Sequence, residues 1–207
     1  MNFLIVDDHK ILREGLRQIL ALAYPSANFE ESDGAEDVIS KLKQNSFDVV
    51  ISDMSMPGRS GLDVIEIVKG MYPQLPIIIL SMHKEESYAL RALKAGAWGY
   101  LNKTDGVDVL IAAIERVRLG RKYIQEDLAE HLVKNLDSGN VMLHKNLSNR
   151  EFDVFKLLAA GKTVSEISEA LALGTSTVST HRSRLMKKLQ MKSNAELTRY
   201  AMEQNII

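Results

Sequence analysis

The sequence predicts an α/β domain followed by a small all-helical one, and three observations carry that expectation. Over residues 1–120, short apolar runs alternate with amphipathic stretches of helical period, which is the pattern of βαβ units around a parallel sheet. From Leu147 onward the apolar spacing is helical throughout, with joints near Gly161 and Gly174. Between the two lies a breaker cluster, Asp137-Ser138-Gly139-Asn140. A length of 207 residues gives each part enough chain for its own core. The expected division is a first domain at 1–120, a connector at 121–146 with helical spacing over Asp127–Leu136, and a second domain at 147–207.

Taken in order, the strand candidates are Phe3–Val6, Ala27–Glu30, Val49–Ile51, Ile77–Leu80 and Trp98–Leu101, the second and fifth being the weaker. The first helix reads from Ile11, Leu12, Gly15, Leu16, Ile19 and Leu20, spaced as one face of a helix. Val38–Leu42, Leu62–Val68, Ser87–Leu93 and Val107–Val117 supply four more. Five strands and five helices predict a doubly wound five-stranded parallel sheet with right-handed crossovers.

Composition narrows the classes. Hydrophobic residues make up 45% and charged residues 26%, ordinary for a globular protein. The absence of cysteine excludes disulfides and thiolate metal sites and fits a reducing cytoplasm. The apolar run Ile77–Leu80 falls far short of a membrane span. The start of the chain has neither a basic region nor a cleavage site, so no signal peptide and no membrane partner are expected. The net charge of −1 divides unevenly: residues 1–120 carry −4, 121–144 carry −1 and 145–207 carry +4. Only the basic rear is suited to a polyanion.

Ligands of an open parallel sheet bind at the carboxyl ends of its strands. Asp7 and Asp8 end the first strand, Asp53 follows the third, Ser81 the fourth and Lys103 the fifth. Singly, each has an ordinary reading: Asp8 as a helix N-cap, a strand-end Asp as a turn former, Lys103 as a solvated charge. Collected on one edge, the three carboxylates repel one another and recruit a cation. Mg²⁺ is the natural one, since it takes a few carboxylates plus waters and phosphate oxygens. With Lys103 it would neutralise a transferring phosphoryl group, which an Asp carboxylate can attack and hold. Ser81 offers a hydroxyl to a phosphate oxygen.

Val6-Asp7-Asp8-His9, Asp53-Met54-Ser55-Met56-Pro57-Gly58, Ser81 and Ala95-Gly96-Ala97-Trp98-Gly99-Tyr100-Leu101-Asn102-Lys103 resemble the receiver domain of two-component response regulators over residues 1–120. The resemblance implies a flavodoxin-like strand order, which the periodicity does not give. It implies Asp53 as phosphoacceptor, Asp8 as a direct Mg²⁺ ligand, Asp7 as a water-bridged supporting carboxylate, and the Ser55 carbonyl as a further ligand. Ser81 and Tyr100 match the switch positions: Ser81 moves toward the phosphoryl group and Tyr100 turns inward to fill the space. Trp98 is expected beside this region, either exposed where a partner receiver docks or half-buried in packing. Thr104 stands where many receivers have proline.

In the rear domain, Phe152, Phe155, Leu158 and Ala159 share one helical face; Val164, Ile167 and Leu171 share another; Val178, Leu185 and Leu189 share a third. Two short amphipathic helices about a tight turn suggest a helix-turn-helix; the alternative is a helical bundle for protein contact. On the second helix, Ser176, Thr180, Ser183 and Lys187 lie opposite the apolar stripe, with Ser179 and Arg184 flanking them and Lys188 and His181 at the margins. Hydroxyls reach base edges, while Arg and Lys meet phosphates or guanine.

Leu147-Ser148-Asn149-Arg150-Glu151, Leu157–Lys162, Glu166-Ile167-Ser168, Ser176–His181 and Arg184–Leu189 resemble the LuxR-type four-helix DNA-binding domain, with Ser193–Asn205 as its fourth helix. With the receiver, this is similar to the NarL/FixJ class. The resemblance implies a homodimer through the fourth helix and an inverted-repeat site in double-stranded DNA. Ser179 and Ser183 stand where many relatives have basic residues, which shifts readout toward Thr180, Arg184 and Lys187. Gly174 replaces a capping Ser or Thr.

The function so implied is a phosphorylation-dependent transcriptional regulator, not an enzyme, served by a sensor histidine kinase or phosphotransfer protein. A phosphatase-type hydrolase is the competing reading of the acidic edge, but the sequence shows no second acid/base one turn from Asp53 and no substrate-cap domain. A protein-binding rear domain and a receiver that is never phosphorylated are the other readings.

Overall fold

The computed structural model describes residues 1–56, 60–82, 86–125, 129, 143–204 and 206–207. The chain divides into two compact units, Met1–Lys134 and Asn135–Ile207. The expected helix at Asp127–Leu136, the breaker cluster after it, and the Pro57-Gly58 part of the acidic motif lie outside the described residues, apart from the helical Ala129.

The first unit runs β1 (Asn2–Val6), α1 (Lys10–Ala23), β2 (Asn28–Ser32), α2 (Ala35–Gln44), β3 (Val49–Asp53), α3 (Gly61–Met71), β4 (Ile77–Ser81), α4 (Glu86–Ala95), β5 (Gly99–Asn102) and α5 (Val107–Arg118). Among the described residues the strands form one five-stranded parallel sheet ordered β2-β1-β3-β4-β5. The chain reverses its winding between β1 and β3, and a crevice opens there at the strands' carboxyl ends. Asp7 and Asp8 leave β1 on one side of it and Asp53 ends β3 on the other. β1 and β3 are buried on both faces, which is why they read as unbroken apolar runs. β2, on the sheet edge, keeps Glu30 and Glu31 partly exposed, and that explains its weak signal in the sequence.

Phe3, Ile5, Val49, Ile51, Ile78, Leu101, Ile114 and Val117 build the core with Leu20. α1 departs from expectation. Of its apolar positions only Leu20 is buried, while Ile11 and Leu12 are exposed. Its first turn follows directly on the acidic strand end, so those residues lie where the sheet has run out. α3 is capped by Ser60, whose backbone N–H donates to Asp63 Oδ2 at 2.7 Å and so holds the helix start. A Cβ added at Gly61 would lie 2.4 Å from the Asp53 carbonyl oxygen and 2.9 Å from Met54 Cα. Only glycine allows the helix this close to the end of β3.

Of the span 121–146 read as a connector, both ends are packed. Tyr123 bridges to Gly99 in parallel, its N–H donating to the Trp98 carbonyl at 2.7 Å, and Gln125 Nε2 donates to Asp105 Oδ2 at 3.0 Å. A single bridge has no alternating pattern to read in advance. At the other end a 3₁₀ turn, Leu143–Asn146, carries the buried His144, whose ring meets Tyr200 Oη at 2.9 Å.

The second unit then adds α6 (Asn149–Ala159), α7 (Val164–Ala170), α8 (Thr175–Leu189) and α9 (Asn194–Glu203). Its core is Phe152, Phe155, Leu158, Ile167, Val178, Leu185, Leu189, Leu197 and Ala201. α6 is capped reciprocally: Glu151 N–H donates to Ser148 Oγ at 3.3 Å and Ser148 N–H donates to Glu151 Oε2 at 2.7 Å. That carboxylate is only 3% exposed, and Lys188 of α8 donates to it at 2.6 Å. One acidic group therefore starts α6 and ties α8 to it. Among the described residues, no helix is long and apolar enough to cross a membrane.

Two outcomes are expected from this packing. Gly61→Ala should destabilise the first unit by about 1–3 kcal/mol in thermal or urea unfolding, because the neighbours in contact are backbone atoms with little room to yield; an unchanged midpoint would show that the α3 start is not held there. The second concerns pH. Burial alone would raise the Glu151 carboxyl, but the donors Lys188 and Ser148 outweigh it and hold the group below its ordinary 4.5. A depressed carboxyl stabilises fully above its unfolded value, and that contribution is lost as pH falls below about 4.5. Glu151→Gln should thus cost about 1–2 kcal/mol at pH 7, with Lys188 partly screened by solvent, and should flatten the acid limb of unfolding below pH 4.5. A parallel shift at every pH would contradict this.

Candidate functional site

The carboxyl edge of the sheet brings four of the expected residues together. Asp7 and Asp53 are each about 5% exposed, and Lys103 Nζ lies between them, 2.8 Å from Asp7 Oδ2 and 3.1 Å from Asp53 Oδ1. Asp8 stands beside them. One oxygen from each of Asp7, Asp8 and Asp53 and one ring nitrogen of His9 lie within 4.8 Å of one another. Asp8 does not act as a cap: the N-cap of α1 is His9, so the ordinary reading of Asp8 falls away.

The local chain accounts for this convergence. His9 N–H donates to Asp7 Oδ1 at 2.8 Å, which turns the Asp7 side chain back over the strand end. Lys103 reaches across because its own N–H donates to the Ser81 carbonyl at 2.7 Å, keeping the β5 exit beside β4. The turn after it is held by Thr104, whose N–H and hydroxyl both donate to Asn102 Oδ1, at 2.9 and 2.7 Å. The turn is made without proline, and among the described residues no peptide bond is cis.

The electrostatics are those of a crowded, dry site. Burial pushes the Asp53 carboxyl above its ordinary 3.8; Lys103 pulls it back, the Asp7 charge raises it further, and the net direction is up. Burial would lower Lys103, but its hydrogen bond to Asp7 and the Asp53 charge turn the net direction upward. One ammonium therefore serves two carboxylates and leaves the third. Asp8 Oδ1 is buried and has no hydrogen-bond partner among the described residues; His9 Nδ1 lies 3.1 Å away without hydrogen-bond alignment. An orphaned, buried carboxylate oxygen beside two others is a donor set that fits a hard, oxygen-seeking divalent ion.

Ser55 lies two residues beyond Asp53, and its backbone favours the charged form of the Asp53 carboxylate. Ser81 is fully buried at the end of β4, in register with Asn102. Tyr100 sits within β5 and is buried. Trp98 precedes β5 at the opposite end of the sheet, half-buried, with Lys69 Nζ 5.1 Å over its ring, which favours the packing reading.

In the second unit, α7 and α8 form the helix-turn-helix about a turn at Leu171–Gly174, where Ala172 takes a left-handed φ of 50°. Val178, Leu185 and Leu189 are buried, while Ser176, Ser179, Thr180, Ser183, Arg184, Lys187 and Lys188 are exposed. Thr180 Oγ1 donates to the Ser176 carbonyl at 2.9 Å, which holds that hydroxyl near the helix surface. Arg184 and Lys187 make no ion pair among the described residues. Lys188 differs, since its ammonium is held by Glu151. His181 is partly buried; burial keeps it below its ordinary 6.5, and its Nδ1 lacks a partner among the described residues.

Four residues escaped the sequence reading. Glu151 was findable, because Ser148 three positions earlier is a capping-box signature. His9 left a local signal, an Asp two residues before it whose side chain takes its N–H; Gly61 and Arg13, the last bonded to the Asp7 carbonyl and to Glu31 of β2, leave none, because their roles appear only when separate elements meet.

Comparison with known proteins agrees with this architecture. Residues 3–115 match the family "Response regulator receiver domain" and residues 145–201 match "Bacterial regulatory proteins, luxR family". The chain is 33% identical over 208 residues to the Response regulator UvrY of Escherichia coli (strain K12), covering 100% of this chain and 95% of that protein. It is 32% identical over 215 residues to the Oxygen regulatory protein NreC of Staphylococcus carnosus (strain TM300), covering 100% and 99%. Among solved structures, RcsB from Salmonella enterica serovar Typhimurium, bound to promoter P1flhDC in the presence of the phosphomimetic BeF3−, matches with a TM-score of 0.65 and 28% identity over 97% of each chain. The chain belongs to the response regulators of the NarL/FixJ class, a receiver domain joined to a LuxR-type DNA-binding domain.

Proposed function

We propose that Asp53 is the phosphoacceptor and that its phosphorylation controls DNA binding by α8. The observation that carries this is Lys103 shared between Asp7 and Asp53 beside Asp8, whose buried Oδ1 accepts no hydrogen bond among the described residues. The donor is a sensor histidine kinase or phosphotransfer protein. An Asp53 carboxylate oxygen attacks the phosphorus, and the phosphorus–nitrogen bond to the donor imidazole breaks with its electron pair on nitrogen. Asp8, Asp53 and the Ser55 carbonyl would hold Mg²⁺, with Asp7 supporting through water, and the ion supplies charge neutralisation for the phosphoryl oxygens. Lys103 then exchanges part of its bond to the carboxylates for one to the phosphoryl group, and Ser81 donates its hydroxyl to it. Tyr100 fills the space behind Ser81. This is regulation by a stored covalent mark, not turnover of a substrate, and the chain works in the cytoplasm.

For DNA, the exposed face of α8 enters the major groove of duplex DNA as part of a homodimer. Thr180, Ser183, Arg184 and Lys187 read bases, and Ser176 and Ser179 bond the backbone. Lys188 meets phosphate only as far as Glu151 releases it. The +4 charge of residues 145–207 against −4 for residues 1–120 supports the assignment of DNA to the rear domain.

Two experiments test these readings. Incubation with a small acyl phosphate and Mg²⁺, followed by intact-mass measurement, should show one phosphoryl addition in the wild type and none in Asp53→Asn. Addition to the Asn variant, or addition without a divalent ion, would refute the assignment. Binding selection at two salt concentrations should show that Thr180→Ala or Arg184→Ala relaxes preference at one base pair, each costing roughly 1–3 kcal/mol. A motif unchanged in both would mean that α8 does not read bases.

A further inference from the structure

We propose that Arg13 is a positioning residue for Mg²⁺ at the acidic edge: it fixes the peptide that joins Asp7 to Asp8. The inference rests on the reading of that edge as a Mg²⁺ site. Asp7 and Asp8 are adjacent, so one peptide plane sets the direction from which both carboxylates depart. Its carbonyl, that of Asp7, accepts a hydrogen bond from Arg13 Nη1. The same guanidinium is anchored from the other side, where Nε donates to Glu31 Oε2 of β2 at 3.0 Å. The Asp7 N–H is also fixed, donating to the Ser32 carbonyl at 3.1 Å. Both backbone polar groups of Asp7 are therefore tied, the first by strand pairing and the second by a side chain of α1.

Arginine suits this task because its planar fork presents two donors at a set angle to two acceptors. The Arg13 side chain is 13% exposed, so the bonds are made largely out of water. Arg17 provides a contrast within the same cluster. Its Nε lies 3.1 Å from Glu31 Oε1, but it is 45% exposed, and no hydrogen bond from it to the Asp7–Asp8 turn is found among the described residues. Arg13 also carries a positive charge near a cation site, and that charge by itself opposes Mg²⁺. Positioning and charge thus push the affinity in opposite directions, and the two are separable.

The test is calorimetric titration of the full chain with MgCl₂, with melting temperature measured in parallel, for wild type, Arg13→Lys, Arg13→Ala and Arg17→Ala. Arg13→Lys keeps the charge but cannot hold both acceptors; it should bind Mg²⁺ about tenfold more weakly, the scale of lost support behind metal ligands. Arg17→Ala should bind as the wild type does. If Arg13→Lys melts lower yet binds Mg²⁺ with wild-type affinity, Arg13 is a structural strut and the inference fails. If Arg13→Ala binds more tightly and Arg13→Lys is unchanged, only its charge acts, and the inference also fails. Should Arg13→Ala not fold, Arg13→Lys alone decides between these outcomes. Absence of binding in the wild type would instead overturn the reading of the acidic edge as a Mg²⁺ site, and the inference with it.

Discussion

Lys103 stands 2.8 Å from one buried carboxylate and 3.1 Å from another, and the rest of the receiver is arranged around that shared ammonium. Two carboxylates taken out of water repel each other, and burial already disfavours the charge on Asp53. A single cation fixed between them makes the pair tolerable without satisfying it. The third carboxylate, Asp8, keeps an unpartnered buried oxygen. The edge is thus left short of positive charge by construction, and it gains from a divalent ion. Adding a phosphoryl group brings further negative charge and new acceptors, for which Lys103 is the nearest donor in place. The β5 exit that carries Lys103 is bonded to Ser81 on β4, so Lys103, Ser81 and the strand that holds Tyr100 share one set of contacts.

The DNA-binding unit solves a similar problem differently. There a single buried carboxylate, Glu151, caps α6 and takes the Lys188 ammonium from α8. A buried carboxylate without that partner would be costly, so the recognition helix is bound to its support by electrostatic need as well as by Val178, Leu185 and Leu189. Of the other α8 cations, Arg182 donates to Asn194 Oδ1 at 3.1 Å, while Arg184 and Lys187 form no ion pair among the described residues. Ser179 and Ser183 contribute hydroxyls and no charge to the exposed face of α8.

Much of this was legible in the sequence, for identifiable reasons. β1 and β3 were plain because burial on both faces demands continuous apolar residues. β2 was faint because an edge strand keeps Glu30 and Glu31 at its rim. The acidic residues could be gathered on one edge because parallel strands all deliver their carboxyl ends there. The strand order needed the family resemblance. Ile11 and Leu12 misled, since helical period reports a face and not whether that face has anything to cover. The pairing of Tyr123 with β5, the close approach at Gly61 and the clamp from Arg13 depend on contacts between distant segments, and no local pattern encodes them. The tie of Lys188 to Glu151 was not legible, because sequence shows a charge and not its partner.

The account holds that the charge balance at Lys103 is what DNA binding by the rear domain responds to. The direct measurement is the affinity of the full chain for a selected duplex, by fluorescence anisotropy, with and without beryllofluoride and Mg²⁺, for wild type and Lys103→Gln. The expected result is a gain in affinity on adding beryllofluoride in the wild type and loss of that gain in Lys103→Gln. An equal gain in both proteins would show that the signal leaves Asp53 by a route that does not pass through Lys103, and would contradict the account.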